Sequence, residues 1–203
     1  MIFKKLINHN YSSRNKESIK YIVIHDTGNL SKGADANAHY NYFNTKDRQA
    51  SAHYFVDDSK VLQVVEDFNA SWHCGDGRGK FGITNSNSIG VEICINSDGD
   101  YNKALDHTVE LVKDLMSNYS IPIERVVRHF DASKKICPKT MSENNWDKWN
   151  KFRDSLDLSR ALDILVKKEI INSPSYWKEN AREGKMVRGE FSASLIKRVA
   201  AKI

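Results

Sequence analysis

Three short apolar segments, each ending in polar residues, constrain the fold of this 203-residue chain most strongly. They are YIVIHDTGN at 21–29, SIGVEICIN at 88–96 and IERVVRHFD at 123–131. A short apolar run bounded by turn-forming residues is typical of a strand, and the first two runs predict strands buried within a sheet. Such strands need helices over the sheet, and the sequence therefore predicts an α/β body.

The segments between these runs predict the covering helices and one hairpin. Apolar residues recur at helical spacing in three segments, which predicts helices over residues 37–49, 102–120 and 142–156. Two strand-like runs, residues 51–58 and 61–68, meet at a polar turn and predict a hairpin. Strands and helices therefore alternate along the chain, as the α/β interpretation requires.

The end of the chain has a different character. Three short amphipathic helices are predicted within residues 158–171, 173–183 and 189–203. Ser173 and Pro174 stand where the cap and the first turn of the second of these helices are expected. We therefore predict a first domain over residues 1–157 and a small helical domain over residues 158–203.

Composition restricts the class of partner. The formal net charge of +5 favours a polyanion, and both nucleic acid and an anionic bacterial cell wall would qualify. The sequence carries no zinc-finger spacing, no RNA-binding motif and no long basic helix, so we expect no nucleic-acid partner.

The remaining sequence signals concern localisation and disulfides. The segment MIFKKLINHNYSSRN lacks the apolar core and the cleavage site of a secretory signal, and no apolar stretch reaches transmembrane length. We therefore expect synthesis in the cytoplasm and no membrane partner. Three cysteines without close pairing argue against a disulfide framework, and Cys74 and Cys94 are interpreted as free thiols.

Two histidines and one cysteine form a candidate metal site. His25 and His129 each end a predicted strand, and Cys137 follows His129 by eight positions. Imidazole and thiolate are good zinc ligands, and a catalytic zinc typically takes three protein ligands and leaves one position open. On spacing alone, unrelated structural roles are the commoner explanation, because strand-end histidines and single cysteines are often buried without chemistry.

Two charged residues strengthen the case for a site. Glu92 stands in the apolar run IGVEICI, where an unsatisfied carboxylate would cost several kcal/mol. Lys135 stands two residues before Cys137, where a cation could stabilise an oxyanion. A surface lysine is the ordinary alternative.

Taken together, these segments resemble the zinc-dependent N-acetylmuramoyl-L-alanine amidases. This group includes phage lysozyme-type amidases, bacterial anhydro-muropeptide amidases and the animal peptidoglycan recognition proteins. The resemblance covers roughly residues 20–140 and implies a central mixed β-sheet flanked by helices. It rests on the segments YIVIHDTGN, SAHYFVDD, the Trp-His pair of SWHCG, NSNSIGVEICIN and RHFDASKKICPKT, in that order.

The resemblance implies roles for the candidate residues. His25, His129 and Cys137 match the three zinc ligands of the family. Glu92 matches a carboxylate that acts as general base or orients the attacking water, and Lys135 matches a lysine taken to stabilise the oxyanion.

One further catalytic position and the substrate contacts follow from the same resemblance. Some members carry a catalytic tyrosine in a GYHF pattern; here AHYF places His53 at that position and Tyr54 one residue later. The two side chains point to opposite faces of a strand, so only one can reach the metal, and we take His53 as the candidate. The resemblance favours substrate contacts for Trp72 and His73; Asn87, just before the Glu92 strand, is a further candidate for substrate binding, with a turn function as the equal alternative.

The implied activity is hydrolysis of peptidoglycan. The bond cut would be the amide between N-acetylmuramic acid and L-alanine, attacked by zinc-activated water. A noncatalytic peptidoglycan-binding protein on the same fold and a zinc peptidase that cuts within the stem peptide remain the alternatives.

The helical tail, residues 158–203, has three possible roles. The helical tail resembles those of phage and clostridial amidases, and it could bind anionic wall polymers, mediate dimerisation or close the amidase core. A monomer and a dimer are both compatible with the sequence. Without a signal peptide, a phage or prophage endolysin that acts on the wall after release is expected, with a bacterial lysis or recycling enzyme as the alternative.

Overall fold

The computed structural model describes residues 1–202, which form two compact units. The first unit comprises Met1–Asn150, and the second begins at Lys151. None of the described helices is both long and apolar enough to cross a membrane.

The first unit contains all eight strands found within residues 1–202. They are β1 Ile2–Lys4, β2 Tyr11–Ser13, β3 Tyr21–Asp26, β4 Tyr54–Val56, β5 Val61–Gln63, β6 Asn69–Ser71, β7 Ser88–Ile93 and β8 Val126–Arg128. Helices α1 Ala36–Thr45, α2 Tyr101–Asn118 and α3 His129–Ser133 lie between or after them, together with three short 3₁₀ turns.

Six strands form a central sheet in the order β1-β5-β4-β7-β3-β8, and β2 and β6 form a separate two-stranded sheet. Strand β3 runs parallel to both β7 and β8, and β7 is also parallel to β4. Strands β4 and β5 pair antiparallel, which confirms the predicted hairpin. The sheet is therefore mixed, and the predicted α/β class with a central mixed sheet is confirmed.

The central strands are buried because helices cover the sheet. Ile22, Val23 and Ile24 of β3 have no exposed surface, and the same is true of Val91 and Ile93 in β7. Helix α2 supplies one covering face: its buried residues are Ala104, Thr108, Val109, Leu111, Val112, Leu115 and Met116. This agrees with the apolar stripe that predicted the helix.

Helix α4, Glu143–Lys167, is longer than the sequence predicted. Asn144, Asn145 and Trp146 have left-handed backbone angles, so its regular part follows Trp146. No glycine or proline interrupts the chain from there to Lys167, and the predicted segments 142–156 and 158–171 therefore join into one helix.

The second unit comprises the rest of α4, α5 Pro174–Asn180 and α6 Gly189–Ala200. Its core is a small apolar cluster. Leu162, Ile170 and Ile171 are buried, and Leu158, Leu165, Trp177, Leu195 and Val199 pack against them. The division between the units falls within α4, and the predicted domain boundary at residues 157 and 158 stays a prediction.

Candidate functional site

The register of three parallel strands brings distant side chains to one edge of the sheet. His25 lies opposite Glu92 in the β3–β7 pair, and Ile24 lies opposite Arg128 in the β3–β8 pair. His129 directly follows Arg128 as the first residue of α3. The carboxyl ends of neighbouring parallel strands thus place His25, Glu92 and His129 together.

Cys137 completes a compact group with the two histidines. The ligand atoms of His25, His129 and Cys137 lie within 4.8 Å of one another, and all three residues are buried. The Sγ atom of Cys137 is 3.7 Å from Nδ1 of His25. The structure therefore brings together all three residues that the sequence proposed as metal ligands.

The segment that carries Cys137 is fixed to strand β3 by Asp26. The Oδ2 atom of Asp26 accepts hydrogen bonds from the backbone N–H (2.7 Å) and the hydroxyl (3.0 Å) of Thr140. The backbone N–H of Phe130 also donates to the carbonyl of Cys137 at 3.1 Å. Asp26 and α3 therefore hold the cysteine beside the histidines.

The donor set fits a divalent cation such as zinc. Two imidazoles and one thiolate leave an open position on a tetrahedral metal. Burial and the charge of Glu92 raise the pKa of the Cys137 thiol to about 12, so a thiolate there needs a cation beside it. Among the described residues, the buried Nδ1 of His129 has no hydrogen-bond partner, which is expected of an atom reserved for a metal.

Glu92 lies at the edge of this group. Its Oε1 atom is 3.9 Å from Nδ1 of His25, and its buried Oε2 atom has no partner within residues 1–202. Burial, reinforced by the charge of Asp26, raises the pKa of the carboxyl to about 8, whereas the positive charge of Lys135 acts in the opposite direction. Glu92 is thus a carboxyl group beside the candidate metal site, with one of its two oxygens unpartnered among the described residues.

An open cleft of about 410 Å³ gives access to the site. Its walls include four of the residues that sequence analysis singled out, Trp72, His73, His129 and Lys135. Lys135 is exposed there. Burial holds the pKa of His25 well below its ordinary value, and the nearby charges of His129 and Lys135 lower this pKa further.

His53 and Tyr54 are placed differently from the sequence expectation. His53 is fully buried; its Nε2 lies 2.8 Å from Nη2 of Arg14, and its Nδ1 lies 2.7 Å from Oγ of Ser71. The Tyr54 hydroxyl donates to Asp67 at 2.8 Å. The structure therefore puts neither side chain in the histidine–cysteine group, because both are engaged by neighbours in the core.

Asn87 also has a structural position. Its side-chain amide donates to the carbonyl of Gly82 at 2.9 Å and accepts from the backbone N–H of Thr84 at 2.9 Å. The cleft is instead lined by Asn85, whose Oδ1 accepts from the backbone N–H groups of His73 and Cys74.

Sequence reasoning missed two participants in this site, Asn85 and Asp76. Oδ1 of Asp76 lies 2.7 Å from Nε2 of His129, and Asp76 also lines the cleft. Both follow the Trp-His pair in a loop rich in glycine and asparagine, where an acidic residue reads as a turn former. Because Asp76 and His129 are 53 positions apart, no pattern in the sequence indicated that this carboxylate would reach the candidate ligand.

Comparison with known proteins agrees with this geometry. CwlH of Bacillus subtilis, named as an N-acetylmuramoyl-L-alanine amidase, is 40% identical over 139 residues, which are 68% of this chain and 53% of CwlH. The chain spans about half the length of the curated relatives it matches.

Solved structures extend the likeness to the fold. The catalytic domain of XlyA is 36% identical with a TM-score of 0.68, and the match covers 76% of this chain and 97% of that domain. A mutant endolysin from Bacillus subtilis is 38% identical with a TM-score of 0.69, covering 77% of this chain and 98% of the endolysin.

The family model described as N-acetylmuramoyl-L-alanine amidase, Amidase_2, matches residues 15–140. This range is more than half of the chain and contains every member of the histidine–cysteine group as well as Glu92. The chain therefore belongs to the Amidase_2 family of N-acetylmuramoyl-L-alanine amidases.

Proposed function

We propose that this protein is a zinc-dependent N-acetylmuramoyl-L-alanine amidase that hydrolyses peptidoglycan between N-acetylmuramic acid and L-alanine. The observation that carries the proposal is the buried group of His25, His129 and Cys137 beside Glu92, at an open cleft. Relatives named as amidases of this specificity support the choice of bond.

The three ligands would hold the metal, and each other residue has a separate task. Zinc bound there would supply a Lewis acid that lowers the pKa of water and polarises the scissile carbonyl. Glu92, with one oxygen unpartnered among the described residues, would take the proton of the attacking water and return it to the leaving amine. Lys135, on the cleft wall, would balance the negative charge that develops on the carbonyl oxygen.

The second unit supports a role in wall binding. Residues 151–203 contain 12 basic and 7 acidic residues, whereas residues 1–150 contain 19 of each. The whole formal charge of +5 therefore belongs to the second unit. We propose that this unit attracts anionic wall polymer while the first unit cuts the glycopeptide.

Digestion of purified peptidoglycan, with and without a zinc chelator, tests the activity. We expect chelator-sensitive release of the amino group of L-alanine without new reducing sugar ends. Wall binding without cleavage would instead support the noncatalytic alternative, and a different new amine would support a peptidase.

The variant Glu92→Gln separates the catalytic role from metal binding. It should retain zinc, measured by elemental analysis of the purified protein, and lose amidase activity. The change Glu66→Gln is a suitable control, because Glu66 pairs with Lys4 rather than with the cleft residues.

A further inference from the structure

We propose that two residues of one loop, His73 and Asp76, are positioning residues that leave Nδ1 of both histidine ligands free for the metal. The inference rests on the metal site of the proposed function and adds a role for residues that do not themselves bind the metal. His73 was expected to contact substrate, and Asp76 had no expected role.

The first half of the argument begins at Ser88. Its hydroxyl lies 2.5 Å from the carbonyl oxygen of Thr84, which can only accept a hydrogen bond, so the single hydroxyl proton points there. The oxygen of Ser88 lies 3.1 Å from Nε2 of His73 and must therefore accept from it. His73 consequently carries its proton on Nε2.

The proton on Nε2 of His73 determines which nitrogen of His25 is protonated. A buried neutral imidazole has one protonated nitrogen, so Nδ1 of His73 is an acceptor. Nε2 of His25 lies 3.0 Å from that Nδ1 and must be its donor. Nδ1 of His25 is then left without a proton, and it is the atom 3.7 Å from Sγ of Cys137.

The fold keeps His73 in this position through a close approach to the backbone. A Cβ atom at Gly90 would lie 2.5 Å from Cγ of the His73 ring, a distance that real Cβ contacts essentially never show. Gly90 lies inside strand β7, between Ser88 and Glu92. Glycine weakens a strand interior, and its presence there often marks a close approach of another group. Its absence of a side chain allows the imidazole to lie against the strand.

The second half of the argument concerns His129. Oδ1 of Asp76 lies 2.7 Å from Nε2 of His129, and a carboxylate there accepts a hydrogen bond from the N–H of that nitrogen. Nδ1 of His129 remains, buried and without a partner among the described residues. A carboxylate that orients a metal-binding histidine in this way also raises its basicity as a ligand.

A second close approach holds the loop that carries Asp76. A Cβ atom at Gly77 would lie 2.1 Å from the carbonyl oxygen of Ala132 in helix α3, the helix that begins with His129. The loop can therefore contact the helix only with glycine at this position. His73 and Asp76 are three residues apart in one loop. From there His73 contacts Nε2 of His25 and Asp76 contacts Nε2 of His129.

The wild-type protein tests the proton positions directly. Two-bond ¹⁵N–¹H correlation spectra of the metal-free protein distinguish the two neutral tautomers of each histidine. We expect His25, His73 and His129 to carry the proton on Nε2. A proton on Nδ1 of His25 or His129 would overturn the inference without requiring any substitution.

Zinc affinity, measured by competition with a chromophoric chelator, tests the consequence. Ser88→Ala and Asp76→Ala should each weaken zinc binding by about 10- to 100-fold, the usual effect of losing such a partner. Asp76→Asn keeps a carbonyl acceptor and should lose less affinity than Asp76→Ala. Ser59→Ala is the control, because Ser59 bonds Asp57 at the hairpin turn, outside the site.

The outcomes separate this inference from the proposed function. If the wild-type protein binds zinc and both alanine variants bind it as tightly, the positioning roles are refuted while the metal site stands. If the wild-type protein binds no zinc, the proposed function fails, and this inference fails with it. Thermal unfolding of the metal-free variants shows whether an affinity loss reflects a folding defect.

Discussion

The two units of the molecule differ in how charge and chemistry are distributed. The first unit has balanced charge, and it buries the candidate metal ligands His25, His129 and Cys137 near the ends of its parallel strands, beside Glu92. The second unit has a small apolar cluster and carries all the net positive charge. If the proposed function is correct, bond cleavage depends on a few buried groups of the first unit, whereas attraction to the wall depends on exposed charges of the second. The two activities should then respond to different perturbations.

The largest expected effect is the loss of a proposed metal ligand in the first unit. Cys137→Ala should reduce amidase activity at least about 1000-fold, because the metal supplies several kcal/mol of transition-state stabilisation. Cys94→Ala is the matched control, since Cys94 is equally buried but belongs to an apolar cluster. Wall binding by Cys137→Ala, measured by co-sedimentation, should stay near the wild-type level; a parallel loss of binding would break the comparison between the units.

Removal of the proposed general base should have the next largest effect. Glu92→Gln should lower kcat by about 100- to 10,000-fold, the usual contribution of a positioned base, with zinc content unchanged. Steady-state kinetics on soluble muropeptides checks the value. Activity within a factor of two of the wild type would remove Glu92 from the mechanism.

Acid should destabilise the first unit selectively, because all seven histidines stand before residue 150. Burial, with a contribution from the charge of Arg14, lowers the pKa of His53 from 6.5 to about 3. Between these values the unfolded chain binds the extra proton, so the free energy of unfolding should fall as pH falls, by about 1.4 kcal/mol per pH unit for this group.

Urea unfolding of the metal-free protein at pH 6.5, 5.5 and 4.5 measures this dependence. The variant His53→Gln should be less stable at pH 6.5 but should show a shallower loss toward acid. An unchanged slope in the variant would mean that His53 is not the group that titrates.

The smallest expected effect concerns exposed charge in the second unit. Raising the salt concentration from about 0.1 M to 0.5 M should weaken wall binding several-fold, because the screening length falls below about 10 Å. The reversals Lys185→Glu and Lys197→Glu together should act in the same direction, whereas Lys32→Glu with Lys103→Glu in the first unit should act less. Salt-independent binding would refute the electrostatic role.

Prediction from sequence worked best for features with local causes. The apolar runs at 21–29, 88–96 and 123–131 became β3, β7 and β8. Strands β3 and β7 are central and buried, as uninterrupted apolar side chains require, whereas β8 is a half-buried edge strand. The predicted break between two helices near residue 157 is absent from the structure. A helix ends where a breaker such as glycine or proline stands, and this stretch has none.

The residue types of the site were likewise readable, but their orientation was not. His25, His129, Cys137 and Glu92 were candidates from their positions and chemistry, the resemblance to the amidase family implied their roles, and the structure brings them together. His53 has the same chemistry and also lies in a strand region, yet Arg14 and Ser71 engage its ring in the core. Nothing in the segment AHYF itself shows whether its histidine belongs to the site or to the core.

The sequence by itself determined that β3 and β7 would be buried strands and which residues could supply donor atoms, because burial and ligand chemistry are properties of single residues and short runs. Only the tertiary structure decided that His73 lies against Gly90 and that Asp76 reaches His129, since these contacts join residues 17 and 53 positions apart. The pairing of each histidine, and therefore the nitrogen it leaves for a metal, depends on the approach of a loop to the sheet rather than on any local pattern.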